Sequence, residues 1–445
     1  VEQLLQPEAA ETSEGKSSSV WRNPAAWLRE QKLGRGFWIF FTAAFFFDFG
    51  FAVYVFLFNL YLLDLHFNER SMGLIGGAMT LGSVVGTLPA GFLARKTGLK
   101  PLLIVCFIAA PVLCSLRTIE MWQAAQIVLG FLSGLAMCLW GVCFLPAIAR
   151  LTTEQNRTSA FSLIFSASIG TATLGGVVCG YLPQWLKMAG FAMHPAEVKR
   201  LILLAACGIA AVGIFAVLRL KLPLTETSDE SETTCIAENS EQGSPRVRKG
   251  RPWWNIHPFL LRFLPSMALW TAVVASFTPF ANVYLSRELH LPLAQIGLVF
   301  SVAQIVQFAV GLLTPVLFRV LGLVKGIVAT QLMTAVAVGC LAGIRNAQLA
   351  IVVYLLFSGM QWMSAPGLYN LLMSKVPDEE RSSAAGITMF CNAVMGSAAT
   401  AGAGILFTRF GYPPVLVGIA ALAVVAAVLF RSLVGSMPSR VPAQP

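Results

Sequence analysis

The chain has 445 residues, of which 56% are hydrophobic and only 12% charged, and its mean hydropathy is +0.72. A water-soluble globular surface cannot be built from that composition, so the chain belongs in a lipid bilayer. The formal net charge of +10 does not point to nucleic acid, because the basic residues are scattered among loops instead of forming one patch.

In chain order, residues 1–35 are polar, with Glu8, Glu11, Glu14 and Lys16 and no apolar core. They read as a cytoplasmic tail and not as a signal peptide. Its last part, with Trp27, Leu28, Arg29, Lys32 and Leu33, has the make-up of a short interfacial helix. A spanning helix needs about 20 mainly apolar residues. Six such stretches fall at 37–62, 72–94, 101–116, 122–149, 159–182 and 200–220, and six more at 259–285, 294–318, 324–343, 349–374, 383–407 and 412–434. The predicted organisation is thus a tail (1–35), a six-helix bundle (36–220), a linker (221–258), a second six-helix bundle (259–434) and a C-terminal tail (435–445). The linker opens acidic (Glu226, Asp229, Glu230) and ends basic (Arg246, Arg248, Lys249, Arg251) before Trp253 and Trp254. Cations and indoles of that kind suit the lipid headgroup level.

Placing both termini inside puts 23 Lys and Arg on the cytoplasmic side and 8 outside, as the positive-inside rule requires. The expected setting is the cell (inner) membrane. Eight of the nine cysteines fall in predicted spans and only Cys235 in a loop, with no CxxC pair, so no disulfide framework is expected.

The chain also repeats itself at an offset of 224 residues. Asp64-Leu65-His66 recurs as Glu288-Leu289-His290, Gly73 as Gly297, Arg95 as Arg319, Gly98 as Gly322, Arg157 as Arg381 and Gly180 as Gly404. A constant offset over more than a hundred residues implies two parallel copies of one bundle, an arrangement that in membranes places a site between the halves.

The loops carry a family likeness. Gly91-Phe-Leu-Ala-Arg95-Lys96-Thr97-Gly98-Leu99-Lys100, its weaker copy from Pro315 to Lys325, and the paired loops at Thr153–Arg157 and Pro377–Arg381 resemble the signature of the major facilitator superfamily. Two departures stand out. The signature's acidic residue is Arg95 in one copy and Arg319 in the other, and the fourth-span arginine of the family's drug/proton antiporters is replaced by Gln126. The resemblance implies an all-α integral membrane fold of twelve helices in two pseudo-symmetric bundles, commonly monomeric. It also implies that Arg95 faces Asp378, Glu379 and Glu380, while Arg319 faces Glu154, as a cytoplasmic gate.

Among the acidic residues, only Asp48 falls well inside a predicted span. A charge there is costly and marks function by default. Steps of three and four place Asp48, Ala52, Val55 and Asn59 on one helical face, and the register position matching Asp48 in the second copy is Ala272. Asp48 is therefore the expected proton-coupling and substrate-contacting group. The amides Asn59, Gln126, Gln304, Gln307, Gln361 and Asn392 and the aromatics Trp140, Phe277 and Trp362 are the other candidate substrate contacts. His66 and His290 have no second ligand at metal-binding spacing, and neither a metal nor a cofactor is expected. No GxSxG, HExxH or P-loop string occurs, so no enzyme is expected. The reading is a proton-coupled secondary transporter for a small amphipathic or weakly cationic molecule, working by alternating access. The alternatives are an uncoupled facilitator, a lipid-type translocator, or a sensor on the same scaffold.

Overall fold

The computed structural model describes residues 33–190, 194–221, 258–377 and 381–434. The predicted N-terminal tail up to residue 32, the whole C-terminal tail and nearly all of the predicted linker lie outside these residues, and Arg35, placed in the tail, already belongs to the first helix. Among the described residues, twelve helices are long and apolar enough to cross a membrane. They are α1 (Arg35–Asp64), α2 (Glu69–Thr97), α3 (Leu99–Ile119), α4 (Gln123–Leu151), α5 (Glu154–Met188), α6 (Pro195–Arg219), α7 (Pro258–Arg287), α8 (Leu293–Leu321), α9 (Leu323–Gly343), α10 (Ala347–Lys375), α11 (Arg381–Phe410) and α12 (Tyr412–Val434). The third span runs further than 101–116 and takes in Arg117. That correction matters for the site.

The sequence repeat is a structural repeat. The bounds of α2, α3 and α4 each differ by 224 from those of α8, α9 and α10. The turns repeat too: His66 and His290 both take positive φ, as do Gly98 and Gly322. At the two glycines the left-handed backbone lets one helix end and the next begin without a Cβ penalty.

Helices α1 to α6 pack as one bundle and α7 to α12 as another, joined mainly through α2 against α11 and α5 against α8. These cross-bundle faces are built from small residues, which let membrane helices approach backbone to backbone. Gly73 and Gly77 meet Thr400, Gly404, Ser397 and Ala401, while Gly176 and Gly180 meet Gly297, Ser301 and Ala294. Nearer the other ends of α2, α8 and α11, Gly91, Gly311 and Gly386 have open space beside them. The bundles therefore touch at the end bearing the α1–α2 and α7–α8 turns and part toward the end bearing the Gly98 and Gly322 turns. Arg35 and Val434, the first helical residue of α1 and the last of α12, both lie at the open end.

Candidate functional site

Between the bundles lies a cavity of about 820 Å³, most of its wall supplied by the N-terminal bundle. Four side chains singled out from sequence line it: Asp48, Asn59, Trp140 and Gln304. Asp48 sits midway along α1, partly buried, and its Oδ2 accepts a 2.5 Å hydrogen bond from the Ser168 hydroxyl of α5. The Trp140 ring packs at a tilt against Phe47 and Phe144, with centroids 4.8 and 5.0 Å away, so an aromatic wall flanks the carboxyl.

Helix α7 is interrupted by a 3-10 turn at Thr278–Phe280. Pro279 has no N–H to give, which leaves the Ala275 carbonyl without its helical donor; the Thr400 hydroxyl of α11 fills the vacancy at 3.0 Å. The break also frees the Pro279 carbonyl to accept from Asn59 Nδ2 at 2.7 Å, while Asn282 Nδ2 donates back to the Phe56 carbonyl at 2.8 Å. These reciprocal bonds join α1 to α7 across the bundles. Further hydrogen bonds run from Ser397 to the Gly77 carbonyl, from Ser301 to the Thr173 carbonyl and from the Arg70 amide to Thr408. Glu69 and Arg287 form an ion pair at 2.5 Å, the glutamate almost fully buried. All of these seal the closed end.

The other sequence candidates are placed elsewhere. Gln126 is fully buried and its amide donates to the carbonyls of Arg117 and Glu120, closing the C-terminus of α3. Phe277 is fully buried against Tyr284 and Phe357. Gln307 donates to Ser358, and Gln361 accepts from Thr278 at the α7 break. Trp362 is exposed and outside the cavity lining, and Asn392 is partly buried with its Oδ1 unpartnered. None of these six lines the cavity in this conformation: Gln126 caps a helix end, Gln307 and Gln361 pair with hydroxyls, and Phe277 packs in the core. At the open end the side chains of Arg95 and Arg319 are exposed. Asp378, Glu379 and Glu380, and the side chain of Glu154, lie outside the described residues.

Two charged groups went unnoticed in the sequence. Glu69, counted with a loop, is buried in the first turn of α2. Arg117, one residue beyond the third span predicted at 101–116, is buried and lines the cavity. The signal was available, because a span of 101–116 is too short to cross a bilayer and the 224 offset carries it to the counterpart of Gly343.

Two six-helix membrane bundles, related by an internal repeat and enclosing a cavity that opens at one end, define a polytopic membrane protein built to hold a solute between its halves. The Major Facilitator Superfamily profile matches residues 40–400, and the chain belongs to that family; it is a multi-pass transporter and not an enzyme. Solved structures agree on the fold. The nucleoside transporter NupG aligns with TM-score 0.71 at 15% identity, over 91% of this chain and 100% of that one. A bacterial homologue of the human lysosomal transporter Spinster, in an inward-facing and occupied conformation, gives 0.70 at 12%, over 91% and 98%. The xylose transporter XylE from E. coli, in an inward-open conformation, gives 0.66 at 13%, over 91% and 97%. Among curated proteins none matches the chain.

Proposed function

We propose that the chain is a secondary active transporter that moves a small amphipathic molecule by alternating access and couples the movement to protons through Asp48. The observation that carries this reading is the place of Asp48: a carboxyl in mid-membrane, bordering a cavity between two halves that are sealed at one end. A carboxyl so placed can take a proton from one side and release it to the other as the halves rock. Ser168 supplies a hydroxyl that holds the carboxylate, and the aromatic wall shelters an apolar body.

The open end bears Arg95, Lys96, Lys100, Arg319 and Lys325, so the positive-inside rule turns it toward the cytoplasm, in a chain we read as a cell-membrane protein. On this reading the conformation is inward-open, both termini are cytoplasmic, and the chain works as a monomer, as is common in the family it belongs to. The weakly cationic half of the sequence expectation loses ground, because the cavity holds the Arg117 guanidinium as well as the Asp48 carboxyl.

The test is internal pH in proteoliposomes, recorded while a panel of aromatic acids, amines and zwitterions is added to wild type and Asp48→Asn. A compound that moves protons only in the wild type supports the reading. Flux that ignores pH and survives the mutation removes the coupling and favours a facilitator, whereas binding with no flux in either protein favours a sensor.

A further inference from the structure

The central cavity holds a charge that proton coupling does not use. Arg117, near the end of α3, is 2% exposed. Its Cζ lies 4.3 Å from the centroid of the Phe58 ring, Nη1 stands 3.7 Å from the Met79 sulfur, and Nε has no hydrogen-bond partner. Among the described residues no carboxylate lies within ion-pair distance of it. The protein therefore leaves a buried guanidinium in contact with a ring and a thioether, neither of which neutralises it.

The backbone that carries Arg117 is held firmly. The hydroxyls of Tyr54 and Tyr61 donate to the Cys114 and Thr118 carbonyls at 3.0 and 2.9 Å, and Gln126 closes the end of the helix. The second copy shows that this scaffold does not require a charge. At the matching register of α9 stands Leu341, likewise 2% exposed, with the Tyr284 hydroxyl donating to its carbonyl at 3.0 Å. A leucine fills the site in one bundle and an arginine in the other. An unpaired buried cation is retained against its desolvation cost when something outside the protein supplies the anion, and a planar guanidinium fits a carboxylate or phosphate through two parallel N–H donors.

An aromatic ladder leads to it. Phe47, Phe51, Tyr54 and Phe58 follow one another along α1 with centroid separations of 4.6, 6.4 and 5.0 Å, and all four line the cavity. Ten residues of helix separate Asp48 from Phe58, about 15 Å at 1.5 Å per residue.

We propose that Arg117 binds an anionic group of the transported molecule, a carboxylate or a phosphate, whose apolar body lies along this ladder toward Asp48. The inference rests on the transporter reading and narrows it: the cargo is an amphipathic acid or a zwitterion, with its anion at the closed end, apart from the coupling carboxyl.

The experiment is ligand-induced thermal stabilisation of the purified full-length protein with three probes sharing one body: 3-phenylpropionate, 3-phenylpropyl phosphate and 3-phenylpropylamine. The acids are expected to stabilise wild type and the amine to leave it unchanged. Arg117→Lys should keep the preference with weaker binding, and Arg117→Gln should lose at least about tenfold in apparent affinity for the acids, the loss of a charge-assisted bidentate contact. If Arg117→Gln does not fold, the contrast between acids and amine in wild type and Arg117→Lys decides. The proposal is overturned if the amine stabilises as well as the acids, if neither acid stabilises, or if Arg117→Gln binds acids as wild type does. Because binding is read without flux, the two readings fail separately. Acids that bind through Arg117 yet never cross a membrane would overturn transport alone; amines that cross with protons while acids do not bind would overturn this inference alone.

Discussion

Gly73 of α2 and Gly404 of α11 pack so closely that a Cβ added to Gly73 would stand 3.0 Å from the Gly404 Cα. The same separation holds between Gly297 of α8 and Gly180 of α5. Gly297 is the repeat of Gly73 and Gly404 the repeat of Gly180, so one glycine pair, copied once, makes both seams between the bundles. In the proposed cycle these seams must part for the closed end to open. They suit that task because small surfaces in contact separate without leaving large apolar side chains stranded.

Enlarging one seam residue should shift the balance between the two states. Overpacking costs about 1–3 kcal/mol, which against a gap of a few kcal/mol changes the population ratio about 5- to 150-fold. Gly73→Val and Gly297→Val are each expected to favour opening of the closed end. The check is the labelling rate of a cysteine at Thr278, probed from the closed side with an impermeant maleimide after Cys340→Ser and Cys391→Ser. An unchanged rate would mean that the seams do not govern access.

The Glu69–Arg287 ion pair is unequal: the glutamate side chain is 4% exposed and the arginine 50%. Removing the arginine strands a buried carboxylate, whereas neutralising the glutamate strands a solvated cation. Arg287→Ala should therefore weaken the closed end by about 1–3 kcal/mol, and Glu69→Gln by less, since the exposed partner is screened. Neither residue is repeated at the 224 offset, Leu293 and Leu63 standing there, so the second bundle offers no substitute. A double-mutant cycle on the same labelling rate should show positive coupling; strictly additive effects would count against the pair as a gate.

Asn59 and Asn282 form a two-way tie between α1 and α7. Each bond contributes about 0.5–1.5 kcal/mol net. Because both link one pair of helices, the first break frees the second. Asn59→Leu and Asn282→Leu should each raise closed-end labelling, with the double variant falling short of the sum of the two effects. Full additivity would show that the bonds act independently.

The spans were readable because a bilayer satisfies no backbone group and forces long apolar helices, and the repeat supplied their registers. Asp48 was readable because a charge in such a stretch is rare and helical stepping gives its face. Gln126 and Gln361 were visible as polar groups, but their partners are a helix end and a broken helix turn, which are facts of tertiary placement. Arg117 was lost to a boundary drawn one residue early, where a cation passes for a loop charge. The interruption at Pro279 left no periodic trace, since the apolar pattern of α7 runs straight through it.

The open end should carry the complementary gate. Arg95 and Arg319 are exposed there in this conformation, as they must be if their acidic partners sit on the opposite bundle and the halves are apart. When the halves close at this end, Arg95 would meet one of Asp378, Glu379 and Glu380, and Arg319 would meet Glu154. Exposed pairs are worth about 0–1 kcal/mol each, so Arg95→Glu is expected to lower transport about two- to fivefold without unfolding the protein. A second change, Glu379→Arg, should restore the loss, because the swap rebuilds the attraction with its sign reversed end for end. Proteoliposome flux measured for the single and paired variants decides the matter: if reversal at Asp378, Glu379 and Glu380 in turn fails to rescue Arg95→Glu, these charges set only the orientation in the membrane and take no part in closing the cavity.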